Sequence, residues 1–191
     1  MKQHRMFFGF SIEPSFLNVF ESSLMEVKHL LSDHSFRWIK ETNYHITVKF
    51  LGHLPGEKKA ELLQSELSWS FHPLTFVPKA WGFFGQRNLR ALALEFEEEK
   101  SRCKEVVEEV DEFCMNILGL EKRQQVFRPH MTFGRKLGEM DESTTRHMNQ
   151  ILDHISLPKL HLHLSHIHLY ESFREDDQLR YAIEKSFCLK N

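Results

Sequence analysis

The sequence predicts an α+β domain with a largely antiparallel sheet, assembled from two diverged copies of one strand–helix–strand unit. Three observations carry this. Apolar segments of strand character adjoin one another between segments of helical periodicity, so helices do not strictly alternate with strands. The triplet His-x-Thr followed by an apolar residue occurs twice, as His45-Ile46-Thr47-Val48 and His130-Met131-Thr132-Phe133. No glycine-rich loop follows a strand, which argues against a P-loop or a dinucleotide fold.

The elements follow in order. Met6 to Phe10 is a buried strand. Pro14 opens a helix, where its missing N–H costs nothing, and Phe16, Val19, Phe20, Leu24, Val27, Leu30 and Leu31 recur at helical spacing. Tyr44 to Leu51 is a strand with Ile46, Val48 and Phe50 on one face. Pro55-Gly56 leads into a short helix carrying Leu62, Leu63 and Leu67, and Leu74 to Trp81 and Leu89 to Phe96 are strands. Glu98 to Leu118 is the clearest helix, its stripe running from Cys103 through Val106, Val107, Val110 and Cys114 to Leu118, with Gly119 as its stop. His130 to Gly134 is a strand, Glu142 to Ile155 a helix, and Leu160 to Tyr170 and Leu179 to Cys188 close the chain as strands.

A chain of 191 residues fits one domain, residues 1–191, or two small lobes sharing a core. A hydrophobic fraction of 41% with 27% charged residues is that of a globular protein and excludes disorder. The net charge of −2 argues against coating duplex DNA, which needs a basic surface. No stretch approaches the roughly 18 apolar residues of a membrane span, and Met6 to Phe10 is too short for a signal segment. Cys103, Cys114 and Cys188 are odd in number and form no C-x-x-C pair, so they read as reduced core thiols of a cytoplasmic protein.

The two triplets belong to a longer repeat. His130 lies 85 residues after His45, and the same offset lays Arg5 on Arg90, each opening an apolar strand followed by an amphipathic helix. Units of about residues 1–84 and 86–191, packed around a pseudo-two-fold axis, bring both triplets to one groove. Along a strand, residues i and i+2 share a face, so His45 with Thr47 and His130 with Thr132 each present one imidazole and one hydroxyl. Two such pairs suit a phosphodiester: a neutral imidazole takes a proton from water, a protonated one gives a proton to the departing oxygen, and the hydroxyls donate to phosphate oxygens. This chemistry needs no metal and no cofactor.

Longer segments around these residues carry a resemblance. Arg5 to Phe8, Trp38 to Gly52 (WIKETNYHITVKFLG), Gly82 to Phe84, Arg90 to Leu94, Phe127 to Arg135 (FRPHMTFGR) and Leu169 to Ser172 resemble the 2H phosphoesterases, and among them the RNA 2′,3′-cyclic phosphodiesterases once named bacterial 2′-5′ RNA ligases. The resemblance implies a bilobal α+β fold with antiparallel sheets lining a central cleft and helices outside. It implies hydrolysis of a 2′,3′-cyclic phosphate at an RNA 3′ end to a 2′-phosphate by a monomer, with His45 as proton donor, His130 as proton acceptor, and Thr47, Thr132 and Arg135 on the phosphate. The motifs alone do not assign the two histidine roles. A 2′-5′ linked oligonucleotide, a small cyclic-phosphate metabolite, or RNA-end binding without turnover are the alternatives.

Strand parity raises two questions. Arg135 points away from His130 and Thr132 in a regular strand, and Gly134 offers a place for a bulge that re-aims it. Its counterpart in the first unit is Phe50, a candidate for stacking on a base or for plain core packing, while Lys49 falls on the His45 face. Of the remaining histidines, His161, His163, His166 and His168 cluster in one predicted strand. They invite a metal hypothesis, but a bulge near Ser165 placing all four on a wet strand face accounts for them.

Overall fold

At the centre of one nine-stranded sheet, strand β3 (His45–Pro55) meets strand β6 (His130–Lys136). The computed structural model describes residues 2–65, 72–85, 90–100, 102–138, 141–157 and 159–189. On one side of this central pair lie β1 (Gln3–Ser11), β8 (His166–Glu175) and β9 (Gln178–Cys188). On the other lie β5 (Ala91–Glu98), β4 (Leu74–Phe84) and β7 (Leu162–Leu164). A short β2 (Phe36–Trp38) also pairs with β6, and every pairing among the described residues is antiparallel. The predicted residues Leu67 and Leu89 lie outside the described ones.

The pairing exchanges strands between the sequence units. Strand β4 of the first unit pairs with β5, the opening strand of the second, and β8 of the second pairs with β1. The helices follow the same rule. From α1 (Pro14–Leu30), Phe20 packs on Trp81 and Phe133, and Phe16 on Phe96, all in strands β4 to β6. From α3 (Cys103–Leu118), Phe113 packs on Phe8 of β1. Helix α2 (Gly56–Gln64) backs β1 and β3, and α4 (Glu142–Leu152) backs β4. Each half of the sheet is therefore built from both units, and the buried side chains form one continuous core.

Local chemistry sets the helix ends. Helix α3 begins later than its periodicity suggests, because the Glu98 carboxylate accepts from the backbone N–H groups of Lys100, Arg102 and Cys103 and caps the helix instead of entering it. At its other end Gly119 adopts φ 68°, and Leu120 N donates to the Cys114 carbonyl in a Schellman closure. Helix α4 is capped by Asp141, which accepts from Thr144 N at 2.7 Å. On α1 the true buried stripe is Phe16, Phe20, Leu24 and Val27, whereas Val19 and Leu30 face solvent.

The predicted strand from Leu160 to Tyr170 is corrected. It is two strands, β7 and β8, separated by Ser165 alone and paired at opposite ends of the sheet order, with β4 and β1. Consecutive Cα atoms stand 3.8 Å apart. One linking residue can join such distant strands only if the sheet curls until its two ends converge there. The parity change near Ser165 is this crossing, not a bulge, and the four histidines do not share one face. His163 meets Thr75 and His161 meets Glu99, whereas His168 is buried between Ser11 and Ser186. Among the described residues, no cluster of three or more His, Cys, Asp or Glu is arranged to hold a metal, and no helix is long and apolar enough to cross a membrane. Cys103 and Cys114 are core thiols, pushed up to about 12 chiefly by burial, but Cys188 is exposed.

Candidate active site

The strands β3 and β6 join through one register pair, Ile46 opposite Met131, both fully buried. Antiparallel pairing about that point sets His45 across from Thr132 and Thr47 across from His130. The two triplets thus face one cleft where the central strands part. His45 is close enough to His130 for their charges to oppose each other.

Each imidazole is held in the same way. His45 Nδ1 lies 2.8 Å from the Asn43 carbonyl, and His130 Nδ1 lies 2.7 Å from the Arg128 carbonyl. A carbonyl only accepts, so both Nδ1 atoms carry hydrogen, which leaves the two Nε2 atoms as the exchangeable sites. The Thr47 hydroxyl donates to His45 Nε2 at 2.9 Å. The anchoring residues Asn43 and Arg128 are themselves related by the repeat offset, a signal the sequence carried but that attention to side chains alone passes over, because the contact is through the backbone.

The surroundings of the two rings differ. His45 is packed by Phe7, with centroids 4.8 Å apart, and by the edge of Tyr181 at 4.9 Å. Phe7 also stacks on Tyr170. His130 stacks on Phe84 at 4.4 Å, and the Arg128 guanidinium lies over the other ring of that pair, 4.7 Å from the Phe84 centroid. Burial pushes both histidines below the ordinary imidazole range, and it is the largest cause for each. The proximity of His130 lowers His45 further, and Arg128 and Arg135 lower His130. A cavity of about 500 Å³ opens beside His45 towards Ser11, Asn43, Tyr170 and Tyr181. It touches none of the other predicted site residues, so the cavity is a recess at the His45 side of the cleft between the strands.

Bulges decide the remaining residues. In the pairing of β1 with β3, Phe8 is opposite Lys49 and Gly9 is opposite Thr47, leaving Val48 as the extra residue. In the pairing of β5 with β6, Leu92 is opposite Gly134 and Ala93 is opposite Thr132, leaving Phe133 extra. Val48 and Phe133 are repeat equivalents. Each bulge reverses the alternation after its threonine. Arg135 therefore returns to the His130 side of the sheet, where its charge reaches both His130 and Tyr181. Phe50 likewise leaves the face of Ile46 and Val48, stands 63% exposed, and meets the Phe7 ring at 5.9 Å. The predicted place of Lys49 is corrected: it lies on the helix side, bonded to Asp111 of α3 at 2.7 Å, because the bulge turns it away from the cleft.

Comparison with known proteins follows the same line. A family model described as LigT-like phosphoesterase matches residues 20–95. An RNA 2′,3′-cyclic phosphodiesterase of Geobacillus stearothermophilus is 31% identical over 101 residues, covering 52% of this chain and 32% of that protein. One of Methanocaldococcus jannaschii is 35% identical over 98 residues, covering 51% and 53%. The matched stretch is thus about a third to a half of these relatives. Among solved structures, TT0787 of Thermus thermophilus superposes with a TM-score of 0.72 at 17% identity, covering 97% of each chain. Escherichia coli LigT in complex with 3′-AMP superposes with a TM-score of 0.66 at 18% identity over the whole of both chains. At such identities the likeness is one of fold.

Proposed function

We propose that this chain is a member of the LigT-like 2H phosphoesterases, with which it shares sequence over about half its length, and that it hydrolyses 2′,3′-cyclic phosphates at RNA 3′ ends to 2′-phosphates. The observation that carries the reading is the matched pair of imidazoles, each fixed in one tautomer by a carbonyl two residues upstream. Each also stands across from the threonine of the other motif. The relatives' named activity supports the substrate class.

In this reading His130 is neutral when the substrate enters, and its Nε2 takes a proton from water as the water oxygen attacks phosphorus. The bond from phosphorus to O3′ breaks, and O3′ takes a proton from Nε2 of His45. The products are a 2′-phosphomonoester and a free 3′-hydroxyl, and the two rings have exchanged protonation states. Thr47 and Thr132 donate to the non-bridging oxygens, and the Arg135 guanidinium offsets the charge that gathers there. Phe50, the exposed ring beside Phe7, offers a stacking surface for the terminal base. Burial disfavours the protonated form that His45 needs, and the phosphodiester anion restores it by pairing with the imidazolium.

The experiment is turnover of adenosine 2′,3′-cyclic phosphate and of a short RNA with a cyclic phosphate end, in EDTA, with the product resolved by phosphorus NMR. A 2′-phosphate is expected from both. A 3′-phosphate, or activity abolished by EDTA, contradicts the proposed chemistry. Parallel assays of 2′-5′ linked dinucleotides measure the competing substrate class.

A further inference from the structure

We propose that Asp111, Lys49 and Arg123 form a positioning network that fixes the β3 bulge at Val48 and through it the aim of Phe50 into the cleft. Its kinetic readout rests on the phosphodiesterase reading; its structural content does not.

The network is dense and lies behind the sheet. The Asp111 carboxylate, with a side chain 4% exposed, accepts from Lys49 Nζ at 2.7 Å. It also accepts from Arg123 Nε at 2.9 Å, Arg123 Nη2 at 3.2 Å and Arg123 N at 3.2 Å. Burial alone pushes this carboxyl up, but the hydrogen bonds from Arg123 and Lys49 outweigh it and hold the group below the ordinary carboxylate range. Lys49 donates a further bond to the Glu121 carbonyl at 2.9 Å.

The informative contact is the last. Arg123 Nη2 donates to the Val48 carbonyl at 2.8 Å. Val48 is the extra residue of the bulge and is buried, so its carbonyl lacks the ladder partner that a regular strand supplies. The same guanidinium reads Asp111 and Val48 together, which a forked cation can do and a point cation cannot. If β3 relaxed to a regular strand, Phe50 would return to the core side and Lys49 to the cleft. The arginine belongs to the segment that leads from α3 to β6 and the lysine to β3, so the network also ties the strand of the first motif to the approach of the second. None of the three side chains faces the reacting groups, which makes them positioning residues.

The test is a double-substitution cycle on the full chain with Arg123→Lys, which keeps the charge on Asp111 but cannot serve both acceptors, and Phe50→Ala. Arg123→Lys should lower kcat/KM at least tenfold, mostly through KM, and should cost less than threefold when Phe50 is already Ala. Equal losses in the two backgrounds would overturn the proposal. The same cycle is read as the dissociation constant for adenosine 2′-monophosphate, so absence of turnover in the wild type counts against the reaction and not against the network. Crystal structures of Arg123→Lys and of Arg123→Met give the direct reading. Loss of the Val48 bulge is expected, and a bulge intact in both variants refutes the role.

Discussion

At the scale of single residues, the two histidines share an anchor but not an environment. His45 is walled by Phe7 and Tyr181, and His130 by Phe84 with Arg128 and Arg135 nearby. Both are held below the ordinary histidine value of about 6.5, first by burial. The mechanism needs one protonated and one neutral ring, so kcat/KM against pH is a bell whose centre lies on the acid side of about 6.5. As pH rises through the depressed value of the donor, the free protein loses its proton and the rate falls. In the kcat profile the alkaline limb moves to higher pH, because bound phosphate anion favours the imidazolium. Initial rates over a pH series at low and saturating substrate check both statements. A kcat/KM optimum well above pH 7 would count against them. The candidate histidines and threonines were legible in the sequence because His-x-Thr puts both groups on one face of any regular strand. The aromatic walls were not: Phe7, Tyr170, Tyr181 and Phe84 come from four strands, and only pairing brings them to the rings.

At the scale of elements, the bulges govern what strict alternation cannot. A regular β3 puts Lys49 beside His45 and sends Phe50 inward; the structure does the reverse. Gly134 hinted at the bulge in β6, but nothing in Val48 announces the one in β3, since a bulge is a property of register against a neighbouring strand. Gly9 belongs to the same device. A Cβ there would stand 2.9 Å from the Ile46 carbonyl oxygen, a backbone atom with little room to yield. Gly9→Ala should therefore cost about 1–3 kcal/mol in chemical denaturation. It should also lower kcat/KM, because Ile46 is the pairing point between the two motif strands. Unchanged stability would mean that β1 and β3 separate freely, contrary to their packing. Gly119, at φ 68°, is a purely structural counterpart. Gly119→Ala should cost about 1 kcal/mol while leaving kcat/KM unchanged, as measured by denaturation beside the same assay.

At the scale of the molecule, the two units that the offset of 85 residues predicts exchange strands. Each unit supplies one motif strand to the centre; the first lends β4 to the opposite half, the second lends β8 and β9, and each covers that half with its first helix. The candidate site sits at the joint, between one motif strand of each unit. Most of the elements were readable from periodicity, but β2, the break between β7 and β8 and the exchange were not, because pairing between distant strands leaves no periodic mark. The crossing at Ser165 shows the same limit: it shifts parity as a bulge does, and only the partner strands tell them apart. In the proposed mechanism two imidazoles, one from each motif strand, divide a single proton-transfer cycle. The most direct test is turnover of a 2′,3′-cyclic phosphate by His45→Ala, His130→Ala and the double variant, with folding checked by thermal denaturation. Each single variant should lose about 10²–10⁴-fold in kcat while remaining folded. The double variant should lose far less than the product of the two, since the rings act as a unit. Near-wild-type turnover by either folded single variant would contradict the account.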